Sequence, residues 1–134
     1  MLNAFPYLLS FSSYSPLILR VVAGIYFLIF AYDNLEHKWP EKYNLFKEVS
    51  LKPEWLFAMI LIAIELAGGI LLISGACTQI VAMALAVLIL VMTFIMISRP
   101  GLISRDLHFN ILLLVILITL IFTGAGNVAA DYPF

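Results

Sequence analysis

The sequence predicts an all-α membrane protein: a transmembrane four-helix bundle with a short interfacial helix between the first and second spans. Three observations carry this prediction. The 134 residues are 64% hydrophobic and 11% charged, where a soluble domain holds about 45–50% apolar and about 25% charged residues. A chain of 15.0 kDa has too little interior to hide that much apolar surface from water. The apolar residues also fall into four blocks, each about long enough to cross a ~30 Å hydrocarbon core. Finally, no block alternates apolar and polar residues with period two, which excludes a transmembrane barrel. Lipid cannot satisfy backbone groups, so the blocks must be helices.

The expected spans are 16–35, 54–74, 78–98 and 106–124, in one membrane domain over residues 1–134. Ser15-Pro16 opens the first, where the missing proline N–H costs nothing. Lys52-Pro53-Glu54 opens the second, with Glu54 at the positive end of the helix dipole. Ser74-Gly75 ends it, and so few residues follow before the third span that the two must form a tight antiparallel hairpin. Arg99-Pro100-Gly101 ends the third span. The fourth is the shortest and borrows residues at both ends, stopping at Thr123-Gly124-Ala125-Gly126. Such a bundle is expected to be left-handed, with near-antiparallel neighbours.

The long connection, residues 33–53, contains Trp39, Tyr43, Phe46 and Val49 at spacings of four, three and three. That makes one apolar stripe on a short helix starting near Pro40. Lys42 and Lys47 are expected to snorkel beside the stripe, and the helix to lie in the headgroup layer. Trp39, Trp55 and Tyr132 suit aromatic belts.

Charge sets the expected topology. Lys38, Lys42, Lys47, Lys52, Arg99 and Arg105 fall on the two odd loops, against Arg20 alone on the other side. The positive-inside rule then makes the loops 33–53 and 98–106 cytoplasmic and puts both termini outside the plasma membrane. The N-terminus lacks the charged region and cleavage site of a secretory signal, so the first helix is expected to stay as an uncleaved anchor. Seven scattered cations build no basic face for nucleic acid. The single cysteine, Cys77, forms no internal disulfide or dithiol pair.

Among the polar residues inside the spans, Glu65 is the sharpest signal. It lies about eleven residues, roughly 16 Å, into the second helix. A carboxyl at that depth faces the bundle interior. It is either a proton-handling or quinone-contacting catalytic acid, or a hydrogen-bonded structural acid, and the structural role is the commoner outcome. With no basic residue in the middle of any helix, the uncharged form is expected. Gly68 and Gly69 follow one turn later and allow close approach of another backbone, with Gly24 of the first helix a candidate. That pairing would bring Tyr26 to the depth of Glu65. Arg20, near the end of the first helix, either lines an outward-facing cavity or, more commonly, snorkels. Asp33, Glu36, His37 and Lys38 read as a solvated cluster. His37 and His108 could ligate haem or a metal, but neither CxxCH nor HxxxH occurs and interfacial hydrogen bonding is the favoured reading, so no metal site is expected. Met59, Met83, Met92 and Met96 read as adaptable packing.

Three stretches bring a family into view: LILRVVAGIYFLIFAYDNLEHK, IELAGGILLISGACTQIVA and DLHFNILLLVILITLIFTGAGNVAAD. Together they resemble the DoxX family (DoxX/DoxD-like small four-helix membrane proteins). Residue by residue, Arg20, Gly24, Glu65, Gly69, Gly124 and Gly126 match the family pattern. Tyr32-Asp33-Asn34 stands where the family often has a small or glycine-containing turn, and Asp106 where it often has Glu. The resemblance implies a small anchoring or accessory subunit of a membrane redox or respiratory complex. One alternative it implies is the quinone-reducing subunit of a thiosulfate:quinone oxidoreductase, with Glu65 as its proton-linked acid. Another is a membrane chaperone, assembly factor or small transporter. No intrinsic cofactor is expected, and a quinone is the one ligand these functions would bring. The expected partners are the lipid bilayer and either a larger membrane complex or further copies of the chain.

Overall fold

The computed structural model describes residues 14–101, 106–124 and 126. Arg105, Ala125, Asp131 and Tyr132, used above, lie outside the described residues. Among the described residues five helices form: α1 (Ser15–Glu36), α2 (Trp39–Glu48), α3 (Glu54–Ser74), α4 (Thr78–Ser98) and α5 (Leu107–Thr123). The described residues contain no strand. Helices α1, α3 and α4 are long and apolar enough to cross a membrane, while α5 is apolar but has 17 residues.

Local chemistry explains the punctuation. Pro16 sits in the first turn of α1, where no donor is lost. α3 stops at Gly75, whose φ of +74° closes the helix through its N–H to Leu71 O at 2.9 Å. α4 begins three residues later, so α3 and α4 form a hairpin.

Helix α1 packs most extensively on α3, and α4 on α5; contacts of α3 with α4 and of α1 with α5 close a ring. Two side-chain bonds show α4 and α5 running antiparallel: Gln79 Nε2 to Ile121 O at 3.0 Å and Asn110 Nδ2 to Thr93 Oγ1 at 3.3 Å. The ring therefore has two ends. The turn end holds the α3–α4 turn, and the loop end holds α2.

The two adjacent glycines of α3 serve different interfaces. A Cβ on Gly69 would lie 2.9 Å from Gly24 O, and one on Gly24 would lie 2.8 Å from Gly69 O and 2.6 Å from Ile73 Cγ1. Backbone thus meets backbone between α1 and α3. A Cβ on Gly68 would instead strike the Leu85 side chain of α4 at 2.8 Å.

The exterior, unlike that of a water-soluble globule, is largely apolar. Ile18, Val22, Ile25 and Ile29 line the outside of α1, and Phe94 and Phe122 point outward from α4 and α5. Arg20, Asn34, Lys42, Glu65, Thr78 and Asn110 are buried inside. Exposed aliphatic faces around buried polar groups are the arrangement that a lipid solvent selects.

Helix α2 departs from expectation. Its buried face is Lys42, Leu45 and Phe46, whereas Tyr43 and Val49 are exposed. Leu45 and Phe46 pack on Ala58 and Leu61 of α3 and Met92 of α4. The helix has turned its inner face to protein, and Lys42 is buried at 2% exposure instead of snorkelling. At its other end, Arg99 Nη1 donates to Glu48 Oε2 at 3.0 Å and to Glu48 O at 3.2 Å.

Replacing Gly24 by Leu should force α1 and α3 apart and cost about 1–3 kcal/mol or more. The change Ile25→Leu, on the exposed face of the same helix, should stay within about 0.5 kcal/mol. Thermal unfolding in detergent micelles compares the two.

Candidate functional site

The polar residues at the loop end are positioned by helical periodicity. Ala23, Phe27, Phe30, Ala31 and Asn34 form the buried face of α1, at spacings that keep one side of a 3.6-residue helix. Ala58, Leu61, Ile62, Glu65, Gly68, Gly69 and Leu72 do the same for α3. Docking these faces brings Asn34 to Glu65, where Asn34 Nδ2 donates to Glu65 Oε2 at 2.7 Å. Both side chains are completely buried. Tyr26, expected at this depth, meets aromatic neighbours. It stacks on Phe30 at 6.0 Å and faces Phe109 of α5 at 4.5 Å between centroids.

Lys42 enters from α2. Its Nζ lies 5.2 Å from the centroid of the Phe30 ring, and Lys38 Nζ lies 5.6 Å from the same ring. Both distances suit cation–π attraction. Asn110, nearly fully buried on α5, continues the Leu113, Leu117, Leu120 face of that helix and donates to Thr93. The carboxamide oxygens of Asn34 and Asn110 are buried acceptors with no donor among the described residues.

The other expected site residues are spread along the molecule. Arg20 is folded into the turn end at 3% exposure instead of snorkelling, and Thr78 is buried at the start of α4. Gly124 ends α5 with φ +71°, and Gly126 has φ +78°. Asp33 pairs with Lys38 at 2.8 Å and with His37 at 3.5 Å on the surface. His108 is exposed at the start of α5. Among the described residues no three His, Cys, Asp or Glu side chains converge as a metal site. A groove of about 210 Å³ opens between α3 and α4, lined by Ile64, Ala67, Leu71, Ile80 and Ala84. It is apolar and separate from the Glu65–Asn34 contact.

Sequence reasoning missed Asn34, Asn110 and the inward turn of Lys42. The two asparagines were legible, because each extends a buried apolar face by one turn. Lys42 was not, because its direction depends on how α2 docks.

A scan against protein families matches residues 15–98 to DoxX. The chain belongs to the DoxX family. The match spans α1 to α4 of this DoxX protein, so Arg20, Gly24, Tyr26, Glu65, Gly68 and Gly69 fall within it, while α5, Gly124 and Gly126 follow it. No curated protein and no solved structure matches the chain. Family membership and three helices able to cross a bilayer make this DoxX chain a transmembrane protein.

Asn34→Leu should cost this DoxX protein about 1–3 kcal/mol, because Glu65 loses a buried donor. Asp33→Ala should leave the unfolding midpoint essentially unchanged, since exposed ion pairs contribute little. Denaturation of both variants in the same detergent checks the contrast.

Proposed function

We propose that this DoxX protein is a small accessory subunit that anchors or helps assemble a larger membrane redox complex, and that it crosses the membrane four times as a bundle of α1, α3, α4 and α5. The observation that carries the proposal is the 2.7 Å bond between the fully buried Asn34 and Glu65. The buried carboxyl among the described residues is engaged in joining two helices, which is a structural use of it. The family's redox assemblies supply the kind of partner. For α5, a largely apolar helix of 17 residues is at the short end of what spans a bilayer.

A second reading has its own support. Tyr26, Phe30 and Phe109 form a run of ring contacts, and Asn34 and Asn110 each present a buried oxygen acceptor. A hydroquinone offers a flat ring and two hydroxyl donors, which suits such surroundings. In that reading Glu65 is the proton-linked acid of a quinone-reducing subunit.

The cation count of the odd loops supports a plasma-membrane orientation with residues 33–53 and 98–106 in the cytoplasm and both termini outside. Cys77 is a free, exposed thiol at the turn end. A membrane-impermeant thiol reagent on intact cells should label it. In a Cys77→Ser background, Asn44→Cys should stay unlabelled, and outside labelling there would invert the topology.

Purification in mild detergent should recover a larger membrane enzyme in fixed ratio to the chain. Glu65 variants should lower the amount of assembled complex in step with folded chain, leaving activity per assembled complex unchanged. A folded Glu65→Gln chain in a fully assembled but inactive complex would favour the quinone reading. Solvent extraction of quinone from the pure chain would favour it too. A chain that purifies alone and carries no quinone would sink both.

A further inference from the structure

We infer that the connection between α2 and α3 is a docking surface for anionic phospholipid headgroups, with Lys47 and Lys52 as the cations that hold the lipid phosphate. The inference goes beyond the accessory-subunit reading and requires no partner protein. The connection has a fixed shape. Ser50 takes the left-handed conformation at φ +62°. Leu51 N–H then donates to Phe46 O and Ser50 N–H to Lys47 O, each at 3.1 Å. These two bonds are those of a Schellman closure. Leu45 and Phe46 pack inward on α3 and α4, and the closure leaves Lys47, Val49, Leu51 and Lys52 exposed.

The neighbouring helices set the depth of this turn. Trp55, Leu56, Met59, Ile60 and Ile64 are exposed along α3, an apolar outer face that begins in its first turn. On α4 the exposed Phe94 and Ile97 give way to Ser98 and Arg99. A tryptophan at the start of a span marks the headgroup level. Lys52 precedes Trp55 by three residues, on the water side of that level. Val49 and Leu51 place apolar side chains beside the cations, as a surface lying in the headgroup layer requires.

The charge balance selects an anion. Asp33 is bound to Lys38 and Glu48 to Arg99. Glu54 is half-buried in the first turn of α3, where the helix dipole answers it. Glu41 lies in the first turn of α2, at the far end of that helix from Lys47. Lys47 and Lys52 form no ion pair among the described residues. Both ammonium groups are therefore left for the lipid phosphates to neutralise. Each lysine near an anionic surface contributes about 1 kcal/mol, or roughly fivefold in affinity.

The test uses the purified full chain with Trp39→Phe, which leaves Trp55 as the single tryptophan. The chain is reconstituted in phosphatidylcholine vesicles in which brominated phosphatidylcholine or brominated phosphatidylglycerol replaces the host lipid stepwise. Bromine quenches the Trp55 fluorescence when its lipid lies alongside, so the two curves give the relative affinity for the anionic lipid. At low salt phosphatidylglycerol should be preferred about threefold or more. At about 1 M salt, where the screening length is about 3 Å, the preference should fall towards one. Lys47→Gln combined with Lys52→Gln should abolish the preference, and Lys47→Arg combined with Lys52→Arg should retain it. Equal quenching by the two lipids at low salt, or a preference that survives the glutamine pair or high salt, would overturn the proposal. The salt comparison needs neither lysine replaced, so it decides the matter even if the glutamine pair does not fold.

Discussion

Hydrocarbon offers no hydrogen bonds, so a carboxyl in the middle of a membrane helix must be answered from within the protein. Glu65 is that group, and Asn34 answers it. Much of the loop end is organised around this contact. It requires α1 to run far enough to deliver Asn34, near its C-terminal end, to a point twelve residues into α3. It sets the register of the two helices, which then cross backbone to backbone at Gly24 and Gly69. A larger side chain at either glycine would hold the helices too far apart for a bond of that length at the other end.

The two ends of the bundle are held in different ways. At the turn end the connection between α3 and α4 is short, and Gln79 reaches across to the last turn of α5. Arg20 and Thr78 are enclosed there. At the loop end the connection is long, and α2 has been added to cover the ring. Its surface ion pairs, Asp33 with Lys38 and Glu48 with Arg99, are solvated and individually weak. The apolar contacts of Leu45 and Phe46 and the inward Lys42 therefore matter more than the visible salt bridges.

Helices with apolar exteriors leave their outer faces to lipid or to other membrane helices. The groove between α3 and α4 belongs to that outer surface. Gly68 meets Leu85 at its floor, so the groove results from packing a glycine under a leucine.

Composition and block length were enough to read a helical membrane protein, because each transmembrane helix must satisfy its own backbone and announces itself as an apolar run. Pro16 and Gly75 marked helix ends through local backbone chemistry that needs no tertiary partner. Glu65, Gly24 and Gly69 were legible for the same reason, since charge and lack of side chain inside an apolar run stand out individually. What the sequence could not convey was which polar groups meet. Asn34 extends the buried face of α1 by one turn, but only the α1–α3 docking decides that Glu65 is the group it meets. Lys42 reads as a snorkelling lysine on an amphipathic helix, and the stripe of Trp39, Tyr43, Phe46 and Val49 reads as its buried face. The tertiary structure decided otherwise, because a ten-residue helix has too little apolar surface of its own to fix its rotation. The rotation follows from the pocket formed by Ala58, Leu61 and Met92, contacts that are distant in sequence.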